Sequence, residues 1–208
     1  MSTSLSLFEQ SGNLESIVLP DAELGFAQHF YAPAMADDLF GQLLQQTAWQ
    51  HESILVWGKS HLQPRLTAWY ADPGTRYSYS GITLQAKLWT PTLLDIKHAI
   101  TRATGHEYNS VLLNLYRDQQ DSMGWHSDDE PELGRNPVIA SLSLGATRGF
   151  KLKHKTLKSQ KTLTLDLING SLLLMAGAMQ HHWQHAVAKQ SQAIGPRINL
   201  TFRQILPQ

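Results

Sequence analysis

The 208-residue sequence contains no cysteine. That absence excludes disulfides and thiolate metal sites, so any metal must sit on histidine and carboxylate. No apolar run is long enough to span a bilayer as a helix. The opening stretch MSTSLSLFEQSGNLES has neither a basic leader nor a long apolar segment, so no secretory signal is expected. These absences predict a cytoplasmic protein without membrane partners. Basic residues are missing from positions 1–58, which carry seven acids; the remaining residues hold all 17 Lys and Arg against ten acids, a formal +7. A basic body could attract a polyanion while an acidic arm limits indiscriminate binding; a merely solvated acidic face fits the charge equally well.

What is present is ordinary globular material. Apolar residues make up 42% and charged residues 16%, enough for one domain with a full core. Residues 1–33 read as an arm that becomes ordered. Residues 34–107 read as helices and hairpins. One helix runs from about Ala36 to Trp49, with Asp37 and Asp38 in its first turn and an apolar stripe of Leu39, Phe40, Leu43 and Leu44. A second begins at Pro91 and is capped by Gly105. From residue 108 to 208 short strands dominate: YNSVLLNLYRD, PVIASLSLG, GFKLKHKTLK, TLTLDLINGSLLLMAG, HHWQHAVA and PRINLTFRQIL. Such spacing predicts an antiparallel sandwich or barrel.

Three segments carry chemistry. In WHSDDE, His126 and Asp128 stand two apart and point to one side of an extended chain. Two histidines and one carboxylate on one face of a metal leave positions open, the arrangement of non-haem iron oxygenases. Alone, His-x-Asp is a weak signal, and a surface turn explains it as well. In RINLTFR, Ile198, Leu200 and Phe202 alternate with Arg197, Asn199, Thr201 and Arg203. The polar face suits either solvent at a sheet edge or a dicarboxylate pocket, since guanidinium grips carboxylate through a planar fork. In VLLNLYRD, Asn114 and Tyr116 share a strand face.

Taken together, NLY, WHSDDE, HHWQH and PRINLTFRQI resemble the AlkB family of nucleic-acid dealkylases, and within it the subgroup containing the eukaryotic nuclear DNA-repair members. The resemblance covers roughly residues 50–208. It implies an α+β fold: a double-stranded β-helix (jelly-roll) core, flanking N-terminal helices and a β-hairpin nucleotide-recognition lid. It implies Fe(II) on His126, Asp128 and His185, with 2-oxoglutarate and O2 as cosubstrates. Arg197 would hold the distal carboxylate, with Arg203, Thr201, Asn114 and Tyr116 completing that pocket. Asp129, Tyr77, Tyr79 and Ser80 would face the flipped base. Val56, Trp57 and Gly58 would form the tip of a finger that enters the duplex, with Arg65 following. The implied reaction is oxidative demethylation of 1-methyladenine or 3-methylcytosine in single- or double-stranded DNA by a monomer, releasing formaldehyde, succinate and CO2. Alternatives are the same chemistry on RNA, protein or a small molecule, and a non-catalytic nucleic-acid-binding module.

Neighbouring residues carry plainer expectations. His181 and His182 read as core or supporting histidines, and Trp69 and Tyr70 as core aromatics. Arg148, Lys151, Lys153 and Lys155 lie in an acid-free stretch and are expected to meet phosphates; a lysine-protected edge strand is the alternative.

Overall fold

The structure, a computed structural model, describes residues 12–207 apart from 57, 58, 76, 80, 81 and 85, and the side chains at 54–60 and 76–85 lie outside that description. The elements in chain order are β1 (Glu15–Leu19), β2 (Ala22–Ala27), α1 (Pro33–Gln46), β3 (Ser53–Val56), β4 (Lys59–Leu62), β5 (Leu66–Ala71), β6 (Tyr77–Tyr79), β7 (Ile82–Leu84) and α2 (Pro91–Thr104). There follow β8 (Ser110–Tyr116), β9 (Met123–His126), β10 (Ile139–Gly145), β11 (Arg148–His154), β12 (Leu163–Leu167), β13 (Ser171–Ala176), α3 (Met179–His182), β14 (Trp183–Val187) and β15 (Arg197–Arg203).

Two antiparallel sheets make the jelly roll. The larger runs β1-β2-β13-β10-β15-β8-β5 and the smaller β12-β11-β14-β9. The hairpins β3-β4 and β6-β7 stand apart from both, in the region expected to form the lid. Residues 15–27, expected as an arm, supply two strands of the larger sheet, with β2 paired to β13. Helix α1 begins at Pro33, so Asp37 and Asp38 fall beyond its first turn. Helix α2 follows its sequence signals. Pro91 opens it, the Thr90 hydroxyl accepts from the Leu93 N–H at 3.3 Å, and Gly105 closes it in the left-handed region at φ 70°.

Both faces of the larger sheet are covered, which explains its strand sequences. The odd-numbered core residues of β8 (Val111, Leu113 and Leu115) join Leu142, Ile198, Leu200 and Phe202 in one cluster with Leu39 and Leu43 of α1 and Ile96 and Ile100 of α2. The opposite face looks toward the smaller sheet, where Ile139, Leu173 and Met175 meet Phe150, Leu152 and Trp183. In β15 strand alternation therefore sends Ile198, Leu200 and Phe202 to the helices and Arg197, Asn199, Thr201 and Arg203 into the space between the sheets. In β15 all seven residues are buried, and the strand lies between β10 and β8. The solvent-edge alternative for RINLTFR is thereby excluded. Burial of one Phe202-sized side chain contributes about 1.5–3 kcal/mol. Trp69 and Tyr70 are buried, as expected.

Gly145 ends β10 opposite Arg197 with φ 84°. A Cβ there would stand 2.6 Å from the Pro196 carbonyl oxygen, so glycine lets the chain pass close beside the start of β15.

Candidate metal and dicarboxylate site

His126 ends β9 and pairs directly with His185 of β14, while β14 in turn pairs with β11. The two imidazoles thus project from neighbouring strands into the space between the sheets, with ring centroids 4.2 Å apart. Asp128 follows β9. Its N–H donates to Gln180 Oε1 at 3.0 Å, and the preceding Ser127 hydroxyl donates to the Trp183 carbonyl at 2.8 Å. These bonds turn the carboxylate back toward the rings. His126 Nε2 lies 3.9 Å from Asp128 Oδ1, and His185 Nε2 lies 3.9 Å from Asp128 Oδ2. The three ligand atoms are all within 4.8 Å of one another.

The hydrogen bonds behind these groups select the metal-binding forms. His126 Nδ1 lies 2.9 Å from the Gly124 carbonyl oxygen, which can only accept, so Nδ1 carries the proton and Nε2 offers its lone pair inward. Burial holds both imidazoles below their ordinary range: His126 is lowered, and His185 falls to about 3. Burial raises the Asp128 carboxyl, but Arg203 and the two histidines overcome it and hold the group at about 2. Arg203 Nη2 donates to Asp128 Oδ1 at 2.9 Å. Two neutral imidazoles and one carboxylate on one side suit a divalent first-row ion such as Fe(II).

The cavity beside this triad is lined by Asn114, Tyr116, Arg197, Thr201 and Arg203, all expected there. Arg65 lines it too, donating through Nε to Asn114 Oδ1 at 2.7 Å. Sequence reasoning gave no role to Ser141, Ser143 or Gln180, and placed Asn199 only on the polar face of RINLTFR. Asn199 donates to Ser141 Oγ at 2.8 Å, and Thr201 donates to Asn199 Oδ1 at 3.0 Å. The signal was present: in ASLSLG the serines alternate with apolar residues just as the polar residues of β15 do.

Arg197 is 1% exposed. Its Nη2 donates to Ser143 Oγ at 2.9 Å, while Nε and Nη1 have no hydrogen-bond acceptor among the described residues. Burial lowers its pKa to about 10; Tyr116 opposes the shift and Arg148 adds to it. A guanidinium buried with two donors unmatched is costly unless an anion completes it. A carboxylate satisfies that need, so these residues fit 2-oxoglutarate as the triad fits iron.

Comparison with known proteins agrees. Residues 23–203 match the 2OG-Fe(II) oxygenase superfamily. The chain is 44% identical over 180 residues to the alpha-ketoglutarate-dependent dioxygenase alkB homolog 3 of Homo sapiens, across 83% of this chain and 62% of that protein. It is 38% identical over 185 residues to the DNA oxidative demethylase ALKBH2 of Homo sapiens, across 85% of this chain and 71% of that protein. The chain belongs to the AlkB branch of the 2OG-Fe(II) oxygenase superfamily. Its fold is also that of the structure of OsALKBH1, with a TM-score of 0.61 at 15% identity, covering 92% of this chain and all of that one. The chain spans 62% of the length of the alkB homolog 3 relatives.

Asp129 is half exposed, and its Oδ2 lies 3.6 Å from Lys155 Nζ. Lys151 and Lys153 alternate outward along β11, and Lys153 Nζ stands 4.9 Å from the centre of the exposed Trp125 ring; Lys155 follows the strand, and its Nζ donates to the Gln180 carbonyl at 2.9 Å. Strand β11 lies between β12 and β14, so the edge-strand alternative for the lysines fails. Val56, Trp57, Gly58, Tyr77, Tyr79 and Ser80 lie outside the described side chains.

Arg148 requires correction. It is 1% exposed and donates to three main-chain oxygens: Asp118 at 3.1 Å, Asp121 at 2.9 Å and Ala188 at 2.7 Å. A side chain so enclosed does not touch a phosphate. His181 is exposed and bonds the Arg135 carbonyl, so it is not a core histidine; His182 packs against His154 at 5.8 Å between centroids.

Proposed function

We propose that this protein removes N-methyl groups from nucleic-acid bases by oxidation, with 1-methyladenine and 3-methylcytosine in DNA as substrates. The observation that carries the reading is the triad of half-buried His126 and buried Asp128 and His185 beside the unmatched donors of Arg197. The printed names of the relatives, a dioxygenase and a DNA oxidative demethylase, support the substrate class.

Iron(II) bound with 2-oxoglutarate and O2 supplies hydroxylation of a methyl C–H bond, with succinate and CO2 as coproducts. The residues do the rest. His126, Asp128 and His185 hold the ion on one side and leave the other open. Arg203 fixes the Asp128 carboxylate and keeps it ionised. Arg197 takes the distal carboxylate of the cosubstrate, and Asn114, Tyr116 and Thr201 border it. Asp129, at the end of the metal-binding turn, favours a cationic methylated base over its neutral parent. The hydroxymethyl group then leaves as formaldehyde: its O–H proton passes to solvent and the C–N electron pair returns to the ring nitrogen as a lone pair, restoring the neutral base. Lys151 and Lys153 present positive charge on the outer face of the smaller sheet, where a phosphate backbone can lie, while Lys155 stands at the end of that strand beside Asp129.

The test is turnover of a 1-methyladenine oligonucleotide with Fe(II), 2-oxoglutarate and O2, read by mass. Replacement of one methyl by hydrogen is the expected result. Succinate formation without a mass change would discard the substrate. Absence of both would discard the oxygenase reading.

A further inference from the structure

Arg148 is the buried cation that the site does not directly use. Its guanidinium centre lies 5.5 Å from the centre of the Tyr116 ring, and that of Arg197 lies 5.2 Å from the same ring. Tyr116 and Arg197 are direct partners across β8 and β15, whereas Arg148 comes from β11 in the opposite sheet. One aromatic ring therefore joins two arginines across the interior. The loop after Tyr116 is drawn into the same assembly. Arg148 binds the carbonyls of Asp118 and Asp121, and the Asp121 carboxylate is occupied by Arg117, at 2.7 Å to Nε and 2.8 Å to Nη2.

Charge makes this arrangement informative. Asp121 and Asp118 offset part of the Arg148 charge. Among the described residues Arg197 makes no ion pair with a carboxylate, and Arg148 lowers its proton affinity. Two interior cations placed around one ring repel each other, and the balance of positive potential falls at the Arg197 end, which faces the cavity. Such a pairing stabilises the protein poorly when empty, but it favours a ligand that brings an anionic group to that end.

We propose that Arg148 is a positioning residue for the carboxylate anchor: it holds the Tyr116 ring and the 118–121 loop in place and supplies the second positive charge behind Arg197. The inference rests on Arg197 receiving the distal carboxylate, as argued above. It makes Arg148 a determinant of selectivity for a 2-oxo acid with a charged tail over one without.

The experiment is anaerobic calorimetry of the Fe(II)-loaded full chain with 2-oxoglutarate and, separately, with 2-oxobutyrate, which lacks the distal carboxylate. Failure of the unmodified protein to bind 2-oxoglutarate would remove the anchor reading itself. Given that binding, Arg148→Met is expected to weaken 2-oxoglutarate by about tenfold while leaving 2-oxobutyrate within about twofold. Arg148→Lys keeps the charge and is expected to recover most of the loss. Equal weakening of both acids in either variant would show that Arg148 only supports the fold, and undiminished 2-oxoglutarate binding by Arg148→Met would show that it plays no part. If Arg148→Met does not fold, Arg148→Lys decides: a dicarboxylate affinity more than about tenfold below the unmodified protein contradicts the charge argument.

Discussion

His126, Asp128 and His185 form one cluster of two histidines and a carboxylate, and Asp21, His154 and His182 form another; in each, the ligand atoms lie within 4.8 Å of one another. The difference lies behind the rings. His126 Nδ1 faces a carbonyl oxygen and therefore donates, freeing Nε2 for a metal. His154 Nδ1 faces the N–H groups of Leu157 at 2.9 Å and Thr156 at 3.2 Å and therefore accepts. The proton of His154 must then sit on Nε2, from which it donates to Asp21 Oδ2 at 3.2 Å. Metal at that Nε2 would force a proton onto Nδ1, against two N–H donors. The second cluster is instead a clasp. It pins the β1-β2 turn, where Asp21 sits at φ 54°, onto the smaller sheet, and Trp183 reinforces it by donating to the Pro20 carbonyl at 2.9 Å. Donor type and spacing are shared; the tautomer set by the neighbouring backbone decides which cluster binds metal.

This contrast can be broken most forcefully at the first cluster. Asp128→Ala or His185→Ala should lower iron affinity more than about 100-fold, beyond the range for supporting residues, and turnover should vanish with it; iron content after desalting is the measurement. Arg203→Met comes next. Its loss frees the Asp128 carboxylate without removing a ligand, so iron affinity should fall about 10–100-fold, read by anaerobic titration. Full iron affinity in that variant would show that Asp128 needs no anchor.

The second cluster should respond in stability alone. His154→Ala leaves two backbone N–H groups without their acceptor and should cost about 1–3 kcal/mol in denaturant unfolding, with iron content unchanged. Asp21→Asn should cost about 0.5 kcal/mol or less, because that carboxylate is half exposed.

The sequence made the first cluster readable and hid the second. His126 and Asp128 stand two apart, and RINLTFR displays its two faces by strict alternation, so two of the ligands and the paired arginines stood out in local pattern, while His185 and the roles of the arginines came from the family resemblance. The jelly roll followed from strand spacing and from the family resemblance. Asp21, His154 and His182 come from three distant segments joined only by tertiary packing, which no spacing reveals. Arg148 was misread for a different reason. It was grouped by proximity with Lys151, Lys153 and Lys155, yet it shares parity with Phe150 and Leu152, whose side chains enter the interior. Parity along a strand separates inside from outside more sharply than neighbourhood does. The strands at 15–27 were hidden because β1 is an edge strand with exposed Val18, and its pattern resembles a polar arm.

The most direct test of the contrast is metal stoichiometry. The full chain and the His182→Ala variant would be equilibrated anaerobically with excess Fe(II), desalted and assayed for iron per chain. The account predicts one iron in both. Two in the unmodified protein and one in the variant would contradict it, because the clasp would then be a second metal site.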